Sequence, residues 1–216
     1  MRAFTLRRST SNTIVLPRLY PILDAGCLPN AVDLIAAAEE LACTGVSLIQ
    51  YRNKSGNARV MLDQARELKK RFGDSVRLIM NDRADLCVAA ELDGVHVGQG
   101  DLSPESVRRI IGPERWLGFS THNPEQVREA DLTSADYLAI GPVFSTSSKD
   151  KPDPVVGLEG VRQARRLTRK PLVAIGGITR ENAPSVIDAG ADSVAVISDL
   201  LREPRKSAEE FFRILR

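Results

Sequence analysis

Eight short apolar runs recur along the chain, and each is closed by polar or glycine residues. Residues 19–23 form the first run, and residues 46–49 form the second, which leads directly into the polar segment 50–54. Runs of this length, bounded by turn-forming residues, predict buried strands. The remaining runs are residues 77–80, 94–97, 116–119, 137–140, 172–175 and 193–196.

Helical patterns lie between most of these runs. Asn30 is a plausible cap for the first pattern, and Ser103 with Pro104 gives a second one a cap followed by a first-turn proline. Strict alternation of strands and helices predicts a parallel sheet covered by helices. The predicted helices are residues 31–44, 57–72, 82–92, 103–111, 124–132, 158–168, 182–189 and 204–216.

The length of 216 residues, together with the alternating strands and helices, predicts a single domain. Eight units of roughly 25 residues fit a compact α/β fold, the (β/α)₈ TIM barrel, which we assign to residues 18–216. Residues 1–17 are expected to form a short, flexible N-terminal leader. An open, doubly wound sheet is the alternative, but it favours a glycine-rich turn after the first strand, and residues 24–27 do not supply one.

Composition excludes several classes of protein. The net charge of +2 argues against a general nucleic-acid binder, and no apolar stretch is long enough to span a membrane. Cys27, Cys43 and Cys87 are odd in number and lack metal-type spacing, so we expect three buried, reduced thiols in a cytoplasmic protein. Met1–Pro17 contains arginines and no acid, a faint likeness to a transit peptide, although a disordered leader is the favoured interpretation.

The polar segment after the second strand carries the first candidate site. Side chains alternate along a strand, so Gln50, Arg52 and Lys54 share one face at its carboxyl end. Two cations and an amide with no acidic residue between them are unusual in a hydrophobic core. They suit a phosphorylated ligand, with arginine as a forked donor and lysine as a point charge.

Two carboxylates close the third and fourth strands, which are neighbours in a barrel. Asp82 and Asp101 would lie opposite Arg52 and Lys54, an arrangement that suits Mg²⁺ completed by substrate phosphates. Taken singly, Asp82 could cap the next helix, and Asp101 could be a turn residue after Gly100. The pair beside the basic cluster favours the metal.

A second anion site is predicted after the last two strands. Gly176-Gly177 and Ile197-Ser198 stand where barrels bind phosphate through backbone N–H groups. Two anion sites at one barrel mouth suggest a group transfer in which Mg²⁺-bound pyrophosphate is the leaving group. The long irregular segment Phe144–Gly157 is the best candidate for a functional loop.

These residues together resemble the thiamine-phosphate synthase family over nearly the whole chain. Its members join a hydroxymethylpyrimidine diphosphate to a thiazole phosphate, and release pyrophosphate through a pyrimidine-stabilised carbocation. The motifs are residues 50–54, 81–83, 94–99 with Asp101, 118–122, 136–144, Lys149, 174–178 and 196–198.

The resemblance implies a role for each site residue, with Asp82 and Asp101 as the Mg²⁺ ligands. Tyr51 and Asn53 depart from the family's usual Leu and Glu, but alternation points them away from Arg52, so little loss is expected. Pyrimidine diphosphate would be bound by Gln50, Tyr51, Arg52, Asn53, Lys54, Asn81, Ser120 and Lys149, of which Arg52, Lys54, Ser120 and Lys149 form the catalytic set; thiazole phosphate would be bound by Thr146, Ser147, Ser148, Gly177, Ile197 and Ser198.

Two other functions stay open at this point. A related thiazole tautomerase uses a histidine after the fifth strand, here His122, and needs neither diphosphate nor Mg²⁺. His122 is otherwise expected to order that loop or cap the next helix, while His96 is expected to be buried and hydrogen-bonded. A non-catalytic thiazole phosphate sensor would leave both aspartates without a role. The expected partners are small phosphorylated substrates, and a homodimer is left open.

Overall fold

The computed structural model describes residues 14–28, 30–146 and 153–216. Eight parallel strands close into a barrel in chain order, with β1 paired to β8. The (β/α)₈ prediction is therefore confirmed, and the open-sheet alternative is wrong. The strands are β1 Leu19–Asp24, β2 Leu48–Arg52, β3 Arg77–Asn81, β4 Gly94–Val97, β5 Trp116–Thr121, β6 Tyr137–Ile140, β7 Leu172–Ile175 and β8 Ser193–Val196.

The helices follow the strands as predicted, with two sequence-predicted caps confirmed. Asn30 accepts hydrogen bonds from the N–H groups of Val32 and Asp33, and Ser103 accepts one from Ser106 N–H. One predicted helix begins two residues late, because Asp82 has a φ of 61° and leaves the helical region. A 3₁₀ turn spans Ala25–Cys27, and the helices are α1 Ala31–Cys43, α2 Ala58–Phe72, α3 Ala84–Ala89, α4 Pro104–Ile111, α5 Pro124–Asp131, α6 Gly157–Leu167, α7 Ala183–Asp188, α8 Ser198–Leu201 and α9 Pro204–Ile214.

Two apolar layers separate along the strands. One fills the barrel interior and includes Ile22, Leu48 and Ile79, while the larger one packs the outer strand faces against the helices. Leu16 is only 8% exposed and joins the interior layer, with Ile14 packed against it. The end of the predicted leader thus packs on the barrel, whereas residues 1–13 lie outside the described part of the chain.

Three aspartates repeat one arrangement at the amino-terminal end of the barrel. Each immediately precedes an even-numbered strand, accepts the backbone N–H of a residue in the preceding strand, and pairs with a cation on a helix. Charged hydrogen bonds of this kind stabilise the end of the barrel that lies away from the strand carboxyl ends. The sets are Asp93 with Leu78 N–H and Lys69, Asp136 with Leu117 N–H and Arg108, and Asp192 with Leu172 N–H and Arg165.

The cysteine prediction is correct for one residue and wrong for two. Cys87 is buried, and its Sγ lies 3.1 Å from the carbonyl oxygen of Gly94. Cys27 and Cys43 are exposed, because one lies in the 3₁₀ turn above β1 and the other ends α1. Within the described residues, no helix combines the length and apolarity needed to cross a membrane.

Candidate active site

The predicted basic face of β2 points into the barrel mouth. Gln50 donates to the hydroxyl of Tyr20, Arg52 pairs with Asp24, and Lys54 pairs with Asp82. Tyr20 and Asp24 lie in the neighbouring strand β1, and Asp82 directly follows the other neighbouring strand, β3. The alternation argument for Gln50, Arg52 and Lys54 is therefore confirmed in geometry.

Asp24 is a site residue that the sequence reasoning missed. It is 3% exposed, and its Oδ1 accepts the N–H of Gly26 at 2.9 Å while its Oδ2 accepts from Arg52. Both carboxylate oxygens are thus engaged, which holds the Arg52 guanidinium in place. Asp24 ends β1, so the strand-end argument used for Asp82 would have found it.

The side chains of Tyr51 and Asn53 are both engaged away from Arg52, as the alternation along β2 predicts. Tyr51 is fully buried in the outer layer, and its hydroxyl donates to Gln64 Oε1 at 2.5 Å. Asn53 donates to the same oxygen at 2.9 Å, and its own oxygen accepts the N–H of Ser55. Tyr51 has no exposed surface for a ligand, whereas Asn53 borders the open space beside Arg52 and Lys54, so its role stays a prediction.

A cavity of about 620 Å³ opens between the 3₁₀ turn and the end of β2. Arg52 and Lys54 line one side of it, and Asp24 and Cys27 line the other. The cavity gives the basic residues open space beside them, of a size that suits a small-molecule ligand.

Asp82 and Asp101 lie together at the ends of β3 and β4. Asp82 N–H donates to His96 O at 2.8 Å, and Asp101 Oδ2 accepts the N–H of Gly98 at 2.7 Å. Partial burial and the adjacent Asp82 carboxylate raise the pKa of Asp101. The Asp101 turn reading is thus partly correct, whereas the helix-cap reading of Asp82 is wrong because Arg83 occupies the cap position of α3.

The donor set of this pair fits Mg²⁺. Burial and, after it, the neighbouring Asp82 carboxylate raise the pKa of Asp101, so a bound cation would stabilise the ionised pair. Mg²⁺ binds through one or two carboxylates and takes its remaining ligands from water and phosphate. Among the described residues no cluster of three or more acidic, histidine or cysteine side chains forms a fuller cage.

Ser120 lies at the mouth on β5, where its hydroxyl contacts His96. His96 Nε2 is 2.8 Å from Ser120 Oγ, and Nδ1 is 3.2 Å from the hydroxyl of Tyr137. Burial lowers the pKa of His96 to about 4, so the ring is neutral at neutral pH. The expectation of a buried, hydrogen-bonded His96 is confirmed. Asn81 ends β3 beside this group, paired in register with His96.

The glycine pair after β7 is shaped by close contacts. Gly177 has a φ of +63°, and a Cβ there would lie 2.4 Å from the carbonyl oxygen of Ser145. Gly176 also has a positive φ, and its carbonyl oxygen accepts the N–H of Phe144 at 3.0 Å. Both positions therefore need glycine. The result is a half-buried strand end without side chains, packed on the loop that follows β6.

The predicted residues after β8 lie level with this pair. Ile175 pairs with Ala195, so Gly177 and Ile197 stand two residues beyond matched positions. Ile197 precedes α8, which begins at Ser198. The loop after β6 is described as far as Thr146. The predicted ligands Ser147, Ser148 and Lys149 lie outside the described residues.

His122 has partners on both ring nitrogens. Nδ1 lies 2.6 Å from the carbonyl oxygen of Gly141, and Nε2 lies 3.5 Å from a carboxylate oxygen of Asp153. The residue lines a separate cavity of about 300 Å³ between α5 and α6. It ties the loop after β5, as expected, to the segments that hold Gly141 and Asp153, while the cap of α5 is Asn123 rather than His122.

Known proteins with similar sequences belong to the family that the sequence motifs resemble. A family described as thiamine monophosphate synthase matches residues 19–200. The chain is 61% identical to a thiamine-phosphate synthase of Koribacter versatilis over 203 residues, covering 93% of this chain and 96% of that protein. It is 40% identical to a thiamine-phosphate synthase of Shouchella clausii, covering 85% and 88%.

Solved structures agree. A thiamine phosphate pyrophosphorylase from Pyrococcus furiosus superimposes with a TM-score of 0.79 at 32% identity, covering 92% of this chain and 95% of that one. A tryptophan synthase alpha-subunit from the same organism, at 15% identity and a TM-score of 0.66, shares the fold alone. With the family matched over residues 19–200, the chain belongs to the thiamine monophosphate synthase family.

Proposed function

We propose that this enzyme couples 4-amino-2-methyl-5-hydroxymethylpyrimidine diphosphate to 4-methyl-5-(2-hydroxyethyl)thiazole phosphate, giving thiamine phosphate and pyrophosphate. The observation that carries the proposal is the pair of separate anion sites at one barrel mouth. We assign Arg52 and Lys54 with two carboxylates to one, and the backbone at Gly177 and Ile197, which stand level at the ends of neighbouring strands, to the other. Two phosphorylated substrates bound side by side meet the requirement for a transfer between them.

The charged site suits the departure of pyrophosphate. The carbon–oxygen bond between the pyrimidinylmethyl carbon and the diphosphate breaks, and its electron pair leaves with the pyrophosphate. Arg52, held by Asp24, and Lys54 are placed to neutralise that growing negative charge. The thiazole nitrogen then donates its lone pair to the pyrimidinylmethyl carbon, which completes the carbon–nitrogen bond.

Asp82 and Asp101 are the residues we assign to Mg²⁺. When bound, the ion would polarise the diphosphate oxygens and help the leaving group to depart. Lys54 is paired with Asp82 in this structure, so a metal there and a diphosphate on Lys54 would each replace that ion pair with a new partner.

The backbone site suits the thiazole phosphate. Gly176 and Gly177 directly follow β7 and carry no side chains, and Gly177 stands level with Ile197 at the end of the neighbouring strand. A neutral donor site binds a phosphate monoester without competing for the metal. Thr146 and Ser198 stand at its margin, and Ser147, Ser148 and Lys149 remain predictions from the sequence.

The tautomerase alternative receives less support from the site. Its proposed histidine, His122, faces Gly141 O and Asp153 and borders the cavity between α5 and α6. A location in the cytoplasm is a further proposal, which rests on the cysteine argument from the sequence.

One incubation tests the proposed function. Purified protein is mixed with both phosphorylated precursors and Mg²⁺, and thiamine phosphate is read by its fluorescence after oxidation. We expect product with both precursors and none when either precursor or Mg²⁺ is withheld. Product formation in excess chelator would remove the metal assignment while leaving the coupling reaction intact.

A further inference from the structure

A continuous chain of hydrogen bonds crosses the barrel interior from β2 to β5. Gln50 Nε2 lies 3.2 Å from the hydroxyl of Tyr20, which lies 2.9 Å from the hydroxyl of Tyr137. That hydroxyl is 3.2 Å from His96 Nδ1, and His96 Nε2 is 2.8 Å from Ser120 Oγ. The first four residues are buried and Ser120 is partly exposed, so the chain reaches a ligand at Ser120.

The barrel makes room for this chain at Gly118. A Cβ at Gly118 would lie 2.2 Å from His96 Nδ1 and 2.2 Å from Tyr137 Cζ, so no other residue fits on β5 at this level. The surrounding interior is apolar, with Ile79 and Val173 packed in the same layer. The hydroxyl hydrogens of the buried Tyr20 and Tyr137 must therefore find their acceptors within the chain of hydrogen bonds.

That requirement gives the chain a direction. The Gln50 amide nitrogen can only donate, so the Tyr20 oxygen accepts, and the buried Tyr20 hydrogen goes to the Tyr137 oxygen. Tyr137 then donates to His96 Nδ1. A neutral imidazole that accepts at Nδ1 carries its hydrogen on Nε2, which donates to Ser120 Oγ.

We propose that this chain holds His96 in the Nε2–H form and leaves the Ser120 O–H as the donor at the mouth. Ser120 then selects a hydrogen-bond acceptor on the ligand, a ring nitrogen of the pyrimidine rather than its amino group. Tyr20, Tyr137 and His96 are positioning residues that act through Ser120. The choice of ligand rests on the proposed function, whereas the direction of the chain does not.

Nitrogen NMR of isotope-labelled histidine tests the direction without any substrate. The protein contains two histidines, His96 and His122. His122 Nδ1 faces a carbonyl oxygen at 2.6 Å, which only accepts, so that ring carries a hydrogen on Nδ1. We expect His96 to show a protonated Nε2 and a bare Nδ1, with the assignment made by comparison with His122→Gln. A hydrogen on His96 Nδ1 would mean that the chain runs the other way, and would overturn the proposal.

Substrate kinetics test the role of the chain. Tyr137→Phe removes the donor to His96 and should raise the KM for pyrimidine diphosphate about tenfold, with the KM for thiazole phosphate within about twofold. Thr121→Val is the matched control, because it deletes a buried hydroxyl that donates to Ala139 O at 2.7 Å, outside the chain. The control should change neither KM.

Equal increases in both KM values for Tyr137→Phe would indicate a merely structural role and contradict the proposal. A similar increase for Thr121→Val would do the same. If wild type forms no thiamine phosphate, the proposed function fails and the ligand assignment fails with it. The tautomer measured by NMR would then still decide the direction of the chain, so the two failures are distinguishable.

Discussion

Lys54 and Asp82 form an ion pair across the barrel mouth. The lysine is the cation assigned to the diphosphate, and the aspartate is a ligand assigned to Mg²⁺. The pair is open to water, with the lysine side chain 57% exposed, so it contributes little to stability. Its more important consequence is that binding of the diphosphate and binding of Mg²⁺ would be coupled, because each would replace the contact between Lys54 and Asp82.

This coupling predicts the effect of Lys54→Met on metal binding. Removing a cation beside two carboxylates should strengthen binding of Mg²⁺ alone by a few-fold, on the order of one charge interaction. The same variant should raise the KM for pyrimidine diphosphate by roughly tenfold or more, because a charged hydrogen bond is lost. Titration calorimetry with Mg²⁺ and no substrate gives the first result.

Lys69→Met is the matched control for this prediction. Lys69 also pairs with an aspartate, Asp93, but at the amino-terminal end of the barrel. It should leave Mg²⁺ affinity unchanged. Weaker Mg²⁺ binding by Lys54→Met would show that the lysine and the metal do not compete for Asp82.

Substitution of either proposed metal ligand should abolish most activity while leaving the fold intact. Asp82→Asn and Asp101→Asn should each reduce kcat/KM by roughly a hundredfold or more, since metal stabilisation of a leaving group is worth several kcal/mol. Both carboxylates lie at accessible strand ends, so the melting temperature should change little. Near-normal turnover by both variants would contradict the assignment.

Substitution of Asp24 should weaken substrate binding, whereas a comparable substitution at the far end of the barrel should lower stability. Asp24→Asn retains an oxygen for Gly26 N–H but removes the charge that holds Arg52, so the KM for pyrimidine diphosphate should rise by about tenfold. Asp136→Asn weakens the comparable pair with Arg108 at the far end of the barrel. That control should lower the melting temperature and leave both KM values unchanged.

An unchanged pyrimidine diphosphate KM in Asp24→Asn would show that Arg52 does not depend on its buried partner. Thermal unfolding of the same preparations separates this outcome from simple loss of structure.

Gly177→Ala should weaken the thiazole phosphate site. The new Cβ would meet the carbonyl oxygen of Ser145 at 2.4 Å, so the strand end or the loop after β6 must shift. We expect the KM for thiazole phosphate to rise by about tenfold or more, with the KM for pyrimidine diphosphate nearly unchanged.

Gly45→Ala controls for backbone strain alone. Gly45 has a φ of +89°, yet a Cβ there meets nothing within 4 Å. Both variants should lose about 1 kcal/mol of stability from the left-handed backbone, and only Gly177→Ala should lose thiazole phosphate affinity. A larger effect on pyrimidine diphosphate would mean that the two anion sites are exchanged.

Sequence periodicity was sufficient to predict the barrel and the face of β2 that carries Gln50, Arg52 and Lys54. Alternation along one strand is a local property, so it can be read directly from the chain. The same rule pointed Tyr51 and Asn53 away from Arg52, and the structure agrees with the rule.

Contacts between strands that are distant in sequence could not be predicted in this way. Tyr20 and Tyr137 look like ordinary apolar strand residues, and their hydroxyls meet only because the barrel closes and Gly118 leaves space. The pairing of Asp24 with Arg52 depends on the register of β1 against β2, which hydrophobic pattern does not determine to one residue.

Pyrophosphate release is the most direct test of the central claim that two phosphorylated substrates are coupled at this barrel mouth. Pyrophosphate and thiamine phosphate are measured together in one reaction with an already aromatic thiazole phosphate, for wild type and for His122→Ala. We predict equal molar amounts of both products from wild type, and substantial coupling by His122→Ala. No pyrophosphate from wild type in this reaction, together with isomerisation of a thiazole carboxylate phosphate supplied in a parallel reaction, would contradict the account.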